Sequence, residues 1–441
     1  MRARIGLLIS GESLVQRALR GSAFTILSFG GSQAIRLASN LILTRLLFPD
    51  VFGLMALIMV LIQGLNNFSD VGITPAILQS KRGDDRDFLD TAFTMQAIRG
   101  VVLWLGCCVL ALPAARFYDV PELVWYLPVA GLTTVIFGLL STKIETANRH
   151  LRMGRLTMVE LLSTLIGTIV TIVLAALMGS AWALVIGLIL GAIIKVVLVL
   201  RLLPGPVNRF RWDRSAAAEL IGFGKWILPS TVVGFALSQG DKAVLARYLS
   251  LSELGIYNIA FFLASFPLML GMAVISRLMI PIYRNVREDP SDHRMRRLRM
   301  MRAGMTASVM LLLAVFAAWG APLVDLLYDE RYLEAGPLVT LIALASVPTV
   351  VMMSYDQAAL AAGNSRGFFW LTLVRAVLFL TCFITGAHYG GIPGALLGQA
   401  VATVLAYPML VRLARRSGFW DGWHDLGFAL LGLGLAVLLL T

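Results

Sequence analysis

Apolar runs of about twenty residues recur along the whole chain, each long enough to cross a hydrocarbon layer ~30 Å thick. In lipid a backbone must satisfy its own hydrogen bonds, and uninterrupted runs of this length do so as helices. The runs fall near 22–44, 52–72, 91–113, 123–142, 157–177, 182–203, 219–239, 254–280, 303–323, 336–358, 367–386, 391–412 and 425–441. Composition agrees: 58% of residues are hydrophobic and 14% charged, against roughly 25% charged in soluble domains. Cys107, Cys108 and Cys382 all lie inside runs, so neither a disulfide framework nor a metal site is expected. The first residues do not read as a signal peptide, because the apolar stretch Ile5–Ile9 is too short. Ser10–Arg20 reads as a short interfacial helix.

The net charge of +12 could suggest nucleic acid, but its distribution says otherwise. Most Lys and Arg lie in alternate loops: Arg2, Arg4, Arg17 and Arg20, then the loops around Lys81, Arg149, Arg209, Arg296, Arg366 and Arg415. The intervening loops hold only Arg45, Arg116, Lys242, Arg247 and Arg331. Such alternation places the basic loops and the N-terminus in the cytoplasm. The basic loops then face anionic lipid, and no nucleic-acid partner is expected.

The loops also limit the chemistry. No GxxxxGK[ST] phosphate loop occurs, and Gly222-Phe-Gly-Lys225 lacks the spacing and opens a span. No loop is large enough for a glycosyltransferase site, and Asp119 and Glu122 sit in a short turn. The expectation is a transporter without a resident cofactor, driven by a coupling ion such as a proton or sodium.

A shift of 202 residues lays Leu43-Thr-Arg45-Leu-Leu47 on Leu245-Ala-Arg247-Tyr-Leu249, and Gly53 on Gly255. Both stretches follow an outward helix and precede an inward one, which implies parallel repeats about an axis along the membrane normal. The expected fold is an all-α polytopic membrane protein of two six-helix bundles related by that pseudo-two-fold axis, with a thirteenth helix. Its parts are an interfacial N-terminus (1–21), an N-terminal half (22–203), a cytoplasmic linker (204–218), a C-terminal half (219–416) and an extra hydrophobic segment (417–441).

Several motifs, in order, carry a family resemblance. They are Asp50-Val-Phe-Gly53-Leu with Phe68-Ser-Asp70-Val-Gly72, the basic stretch Arg149 to Glu160, Trp182-Ala-Leu-Val, Gly240-Asp241-Lys242 with Leu254-Gly255-Ile-Tyr257, and Tyr328 to Pro337. Together they resemble the Wzx-like polysaccharide flippases of the multidrug/oligosaccharidyl-lipid/polysaccharide exporter superfamily, over residues 18–416. The resemblance implies flipping of an undecaprenyl-diphosphate-linked oligosaccharide for exopolysaccharide or O-antigen synthesis. It also implies working alongside a polysaccharide polymerase and a chain-length regulator. Alternatives are a multidrug or other amphiphile antiporter of the same superfamily, or a membrane-embedded polymerase. Members usually have an even number of spans, and the apparent thirteenth departs from that.

A diphosphate and sugars need a polar, cationic cavity, so polar residues should line single helical faces. Thr25, Ser28, Ser32, Arg36 and Asn40 form one stripe, and Gln63, Asn66, Asn67 and Asp70 another. Thr231, Gly234, Ser238 and Asp241/Lys242 form a third. Expected cavity residues are Arg36, Asn40, Gln63, Asn66, Asn67, Arg99 and Lys225. An intramembrane cation costs at least ~2.5 kcal/mol without a partner or a cavity. Asp70 and Glu160 are ion-coupling candidates. The competing readings are a pair from Asp70 to Arg36 or Arg99, and a salt bridge from Glu160 to the Arg149–Arg155 loop. Asp241, Lys242 and Arg247 are placed at an outer gate and Asp356 at an inner one. Arg375 is expected to snorkel or pair between helices. The spacings Gly187–Gly191 and Gly394–Gly398 read as close helix packing.

Overall fold

The computed structural model describes residues 14–70, 72–224, 227–289, 291–361 and 364–440. Among them the regular structure is helical throughout, with no strand. The chain divides into two compact units, Met1–Val232 and Val233–Thr441. The linker and the entry to the seventh span therefore belong to the first unit.

That unit opens with α1 (Leu14–Leu46), one helix of 33 residues. The separate interfacial helix expected before Arg20 is, from Leu14 on, the first turns of α1. Phe48 in extended conformation and Pro49 at the first helical position start α2 (Pro49–Phe68), and α3 (Ile73–Gln79) follows a break. Asp85 caps α4 (Arg86–Tyr118) by accepting from the Asp87 amide. Then come α5 (Leu123–Gly138), α6 (Lys143–Arg149), α7 (Met153–Met178), α8 (Ala181–Leu202) and α9 (Arg214–Gly224). α10 (Leu228–Leu245) begins in this unit.

Small residues let these helices approach. A Cβ on Gly100 of α4 would stand 2.5 Å from the Thr134 carbonyl of α5, and one on Gly187 of α8 would stand 2.3 Å from Thr171 Oγ1 of α7. α1 packs on α7, where Gly31 faces Leu161.

The second unit contains α11 (Leu251–Ala264), opened by a capping box between Ser250 and Glu253. It continues with α12 (Phe266–Glu288), α13 (Asp292–Ala318), α14 (Gly320–Leu327) and α15 (Ala335–Ala361). α16 (Ser365–Arg416) carries two of the expected spans as a hairpin that turns at Gly390–Gly391, where Gly391 has φ 57°. Its arms touch backbone to backbone, so a Cβ on Gly394 would lie 2.2 Å from the Gly386 carbonyl oxygen. The small-residue spacings thus serve close packing, as read from the sequence. α17 (Gly422–Leu440) is the thirteenth apolar segment.

By length and apolarity, nine described helices can cross a membrane, or eleven with two bent pairs counted as single spans. The α16 hairpin supplies one crossing more than that count. The polar stripe lowers the apolarity of α1, which is nevertheless long enough to cross. The run expected at 254–280 is divided at Ser265 between α11 and α12.

Candidate functional site

In the first unit, the structure gathers sequence-expected residues at the break after α2. The helix ends at Phe68, and the chain turns through the left-handed region at Gly72 (φ 63°) before α3. A helix end inside an apolar layer leaves carbonyls that need donors. Arg99 of α4 supplies them, its Nη2 donating to the Asn66 carbonyl at 2.7 Å and its Nε to Ser69 Oγ at 3.0 Å. Thr231 Oγ1 of α10 donates to the Asn67 carbonyl at 2.8 Å. A guanidinium here also complements the negative end of the helix dipole. Gln63 Nε2 donates to Asn67 Oδ1 at 3.2 Å, and Gln63 is exposed. Asn66 Nδ2 returns to the Ile62 carbonyl at 3.0 Å.

The second break, between α9 and α10, packs against the first. A Cβ on Gly72 would stand 2.2 Å from Ile227 Cδ1 and 3.5 Å from Phe223 Cδ1. Two discontinuous helices thus meet at their interruptions, with an arginine, two asparagines and a glutamine around them. Such an arrangement offers both donors and acceptors to a polar ligand at membrane depth.

The expected Asp70 ion pairs are absent among the described residues. Asp70 Oδ1 instead accepts from the Gly72 amide at 2.9 Å, bracing the turn, while Arg99 bonds to the α2 terminus. Glu160 does not bridge to the basic loop either. Because α7 packs on α1, its carboxylate accepts from Ser28 Oγ at 2.5 Å, and Arg149 turns to Asp84 at 3.0 Å. Arg36 lies on α1, exposed, with no ion pair among the described residues. Asn40 is half-buried, and its carbonyl accepts from Thr44 Oγ1 at 2.9 Å. Lys225 lies outside the described residues.

In the second unit Asp241 is buried and accepts from Tyr257 Oη at 2.9 Å, which ties α10 to α11. Lys242 Nζ sits 4.7 Å from the centre of the Phe261 ring, and Arg247 is exposed. Asp356 of α15 pairs with Arg375 of α16, whose Nη1 lies 2.8 and 2.9 Å from its two oxygens. Arg375 therefore makes an interhelical pair.

Two polar clusters were not found from sequence. In the first unit, the segment before α9 is laced to α4: the amides of Arg209, Arg211 and Asp213 donate to Asp90 Oδ1, Thr94 Oγ1 and Thr91 Oγ1 at 3.0, 2.9 and 3.1 Å. All three acceptors are buried. The spacing 90, 91 and 94 on a helix, facing alternate residues of the segment before α9, was the available signal. Nearby, Arg149 Nη1 donates to the carbonyls of Ile77, Leu78 and Ser80, closing the end of α3. Burial pushes the Asp84 carboxyl up, but hydrogen bonds from His150 and Arg149 outweigh it and hold it below the usual carboxylate range.

In the second unit, buried Asp425 at the start of α17 accepts from Tyr355 Oη at 2.8 Å and Tyr407 Oη at 2.8 Å. His424 Nδ1 lies 2.9 Å from the same carboxylate, and its Nε2 lies 3.1 Å from Thr306 Oγ1. An acid beside a histidine at the mouth of an apolar run was the sequence signal here.

This fold and these polar helix faces can be set beside known proteins. Residues 42–337 match the family described as "Polysaccharide biosynthesis protein". The chain belongs to that family. Among polysaccharide biosynthesis proteins, it is 24% identical over 416 residues to the succinoglycan biosynthesis transport protein ExoT of Rhizobium meliloti (strain 1021), covering 91% of this chain and 82% of that one. It is 21% identical over 410 residues to the lipopolysaccharide biosynthesis protein WzxC of Escherichia coli (strain K12), with the same coverage. Among solved structures, the lipid II flippase MurJ aligns with a TM-score of 0.69 at 11% identity, over 95% of this chain and 92% of that one. An inward-facing multidrug transporter of the MATE family aligns at 0.66 and 15% identity, over 88% of this chain and 94% of that one. The fold is that of the exporter superfamily, and the resemblance read from the sequence motifs is borne out. By its family and its apolar helices the chain is a multi-pass membrane protein of polysaccharide biosynthesis.

Proposed function

We propose that the chain flips a polyprenyl-diphosphate-linked oligosaccharide from the cytoplasmic to the outer leaflet of a bacterial inner membrane, as a step in surface-polysaccharide synthesis. The observation that carries this reading is the polar cluster at the α2 break, where Gln63, Asn66, Asn67 and Arg99 converge in an apolar helical unit. Sugars need amide and carbonyl partners of that kind, and a diphosphate needs cations. Arg36 on α1, exposed and without an ion pair among the described residues, offers its charge in this scheme, while Arg99 is held by the helix end. The names of ExoT and WzxC support a polysaccharide cargo, and that of MurJ supports a lipid-linked one. Movement by alternating access belongs to the same reading, with Asp70 or Glu160 as the group that binds a coupling proton or sodium. A polymerase and a chain-length regulator would act on the exported product.

The test is a deletion strain followed by leaflet-specific analysis of its lipid carriers. Loss of the chain should make lipid-linked oligosaccharide accumulate in the cytoplasmic leaflet while surface polysaccharide disappears. Normal surface polysaccharide in the deletion, with drug sensitivity instead, would favour the antiporter reading.

A further inference from the structure

The second unit contains a cavity of about 1040 Å³ between α15, the second arm of α16 and α17. Leu397, Ala400 and Val404 of α16 face Leu426 and Leu433 of α17 across it. Near its start α17 is tethered through Asp425 to Tyr355 of α15 and to Tyr407 of α16. Further along, Gly432 is pressed so closely to α15 that a Cβ would meet Val347 Cγ1 at 2.3 Å. A space walled by aliphatic side chains does not hold ordered water, which needs polar partners. Within a bilayer, hydrocarbon is what fills it.

The cavity's size and its polar end narrow the occupant. At roughly 30 Å³ per methylene, about the share of one water in the liquid, the space takes on the order of 35 methylenes. That is about the content of two acyl chains. The side chains with polar groups in the lining, Tyr407, Trp420, Trp423 and Asp425, gather at one end. There the Arg415 guanidinium stacks 4.0 Å from the Trp420 ring centre, with Arg412 and Arg416 in the same final turns of α16. The neighbouring acids are already engaged. Asp421 lies 3.3 Å from Arg302 and 3.7 Å from Arg299, while Asp425 takes the tyrosine hydroxyls and His424. The mouth is therefore cationic, and a phosphate is its complement.

We propose that this cleft is a binding site for one diacyl phospholipid with an anionic headgroup, its phosphate at Arg415 and its chains between α16 and α17. The lipid completes the packing of α17 and is independent of the transported cargo.

Native mass spectrometry of the full chain, purified in mild detergent and supplied with phosphatidylglycerol or phosphatidylcholine of the same chains, tests this. The wild type should retain one phosphatidylglycerol at least tenfold more readily than phosphatidylcholine. Arg415→Ala, at an exposed position, should abolish that preference, and Ala400→Trp should abolish retention of either lipid by filling the space. Equal retention of both lipids, unchanged in Arg415→Ala, would mean an ordinary lipid shell and overturn the proposal. So would recovery of polyprenyl phosphate in place of phospholipid. Should Ala400→Trp fail to accumulate, the Arg415→Ala comparison decides alone.

Discussion

Gly72 and Ile227 touch where two broken helices cross: a Cβ on the glycine would lie 2.2 Å from the isoleucine Cδ1. Gly72 also holds a left-handed conformation, φ 63°. Gly72→Ala therefore meets two penalties, a backbone cost of about 1–2 kcal/mol and a steric one. The variant should unfold at lower temperature than wild type. Adding Ile227→Ala should recover the steric part and leave the backbone part, which thermal unfolding of the three proteins in detergent will separate.

Arg36 bonds to no acid among the described residues, so its removal should leave stability within about 0.5 kcal/mol. Arg36→Ala should nevertheless abolish export of lipid-linked oligosaccharide, and Arg36→Lys should keep part of it, because a point charge replaces a bidentate fork. Complementation at low expression, with membrane levels checked by immunoblot, is the measurement. Full rescue by the alanine variant would remove Arg36 from the anion site.

The pair Asp356–Arg375 is about four-fifths buried on both sides. Arg375→Ala leaves a carboxylate without its partner between α15 and α16 and should cost about 3 kcal/mol. The exchange Asp356→Arg with Arg375→Asp should recover at least half of that loss in thermal unfolding. A mild single variant would mean that solvent reaches the pair.

Asp84 has a depressed carboxyl, held down by His150 and Arg149 against the effect of burial. Its ionised form is favoured by folding, so its contribution is present above the ordinary carboxylate value of 3.8. That contribution is lost as pH falls through the lower folded value. The stability difference between wild type and Asp84→Asn should shrink as pH falls below about 4. A difference that instead grew in that acid range would reverse the assignment.

The charge pattern predicts that the loops holding Lys81, Arg149, Arg209 and Arg296 are cytoplasmic and that Tyr118, Asp329 and Tyr389 lie outside. Single cysteines at these positions, in a chain lacking Cys107, Cys108 and Cys382, should react with a membrane-impermeant maleimide on intact cells only in the second group. Labelling of position 209 from outside would overturn the topology.

The spans were legible because hydrophobic length is a strong, one-dimensional signal. The α2 polar face was legible for the same kind of reason: Gln63, Asn66, Asn67 and Asp70 recur at helical spacing in an apolar run. The break after Phe68 was not, since no proline lies at the interruption itself, whereas the one after Gly224 is followed by Pro229 in the first turn of α10. The first break persists because Arg99 and Thr231, distant in sequence, cap the exposed carbonyls of Asn66 and Asn67. Partner choice was the other gap. Glu160 lies nearest in sequence to arginines, yet helix packing delivers it to Ser28. The α17 tether also required knowing that Tyr355 and Tyr407 converge on Asp425.

With Arg209, Arg211 and Arg214 crowded together, the segment before α9 has the composition of a preferred trypsin site. Its backbone is nevertheless held amide by amide on Asp90, Thr94 and Thr91, and a protease can grip only a strand that has first been lifted free. Cleavage there waits on a local opening that breaks three hydrogen bonds to buried acceptors together, so susceptibility reports the strength of that lacing and not the abundance of arginine.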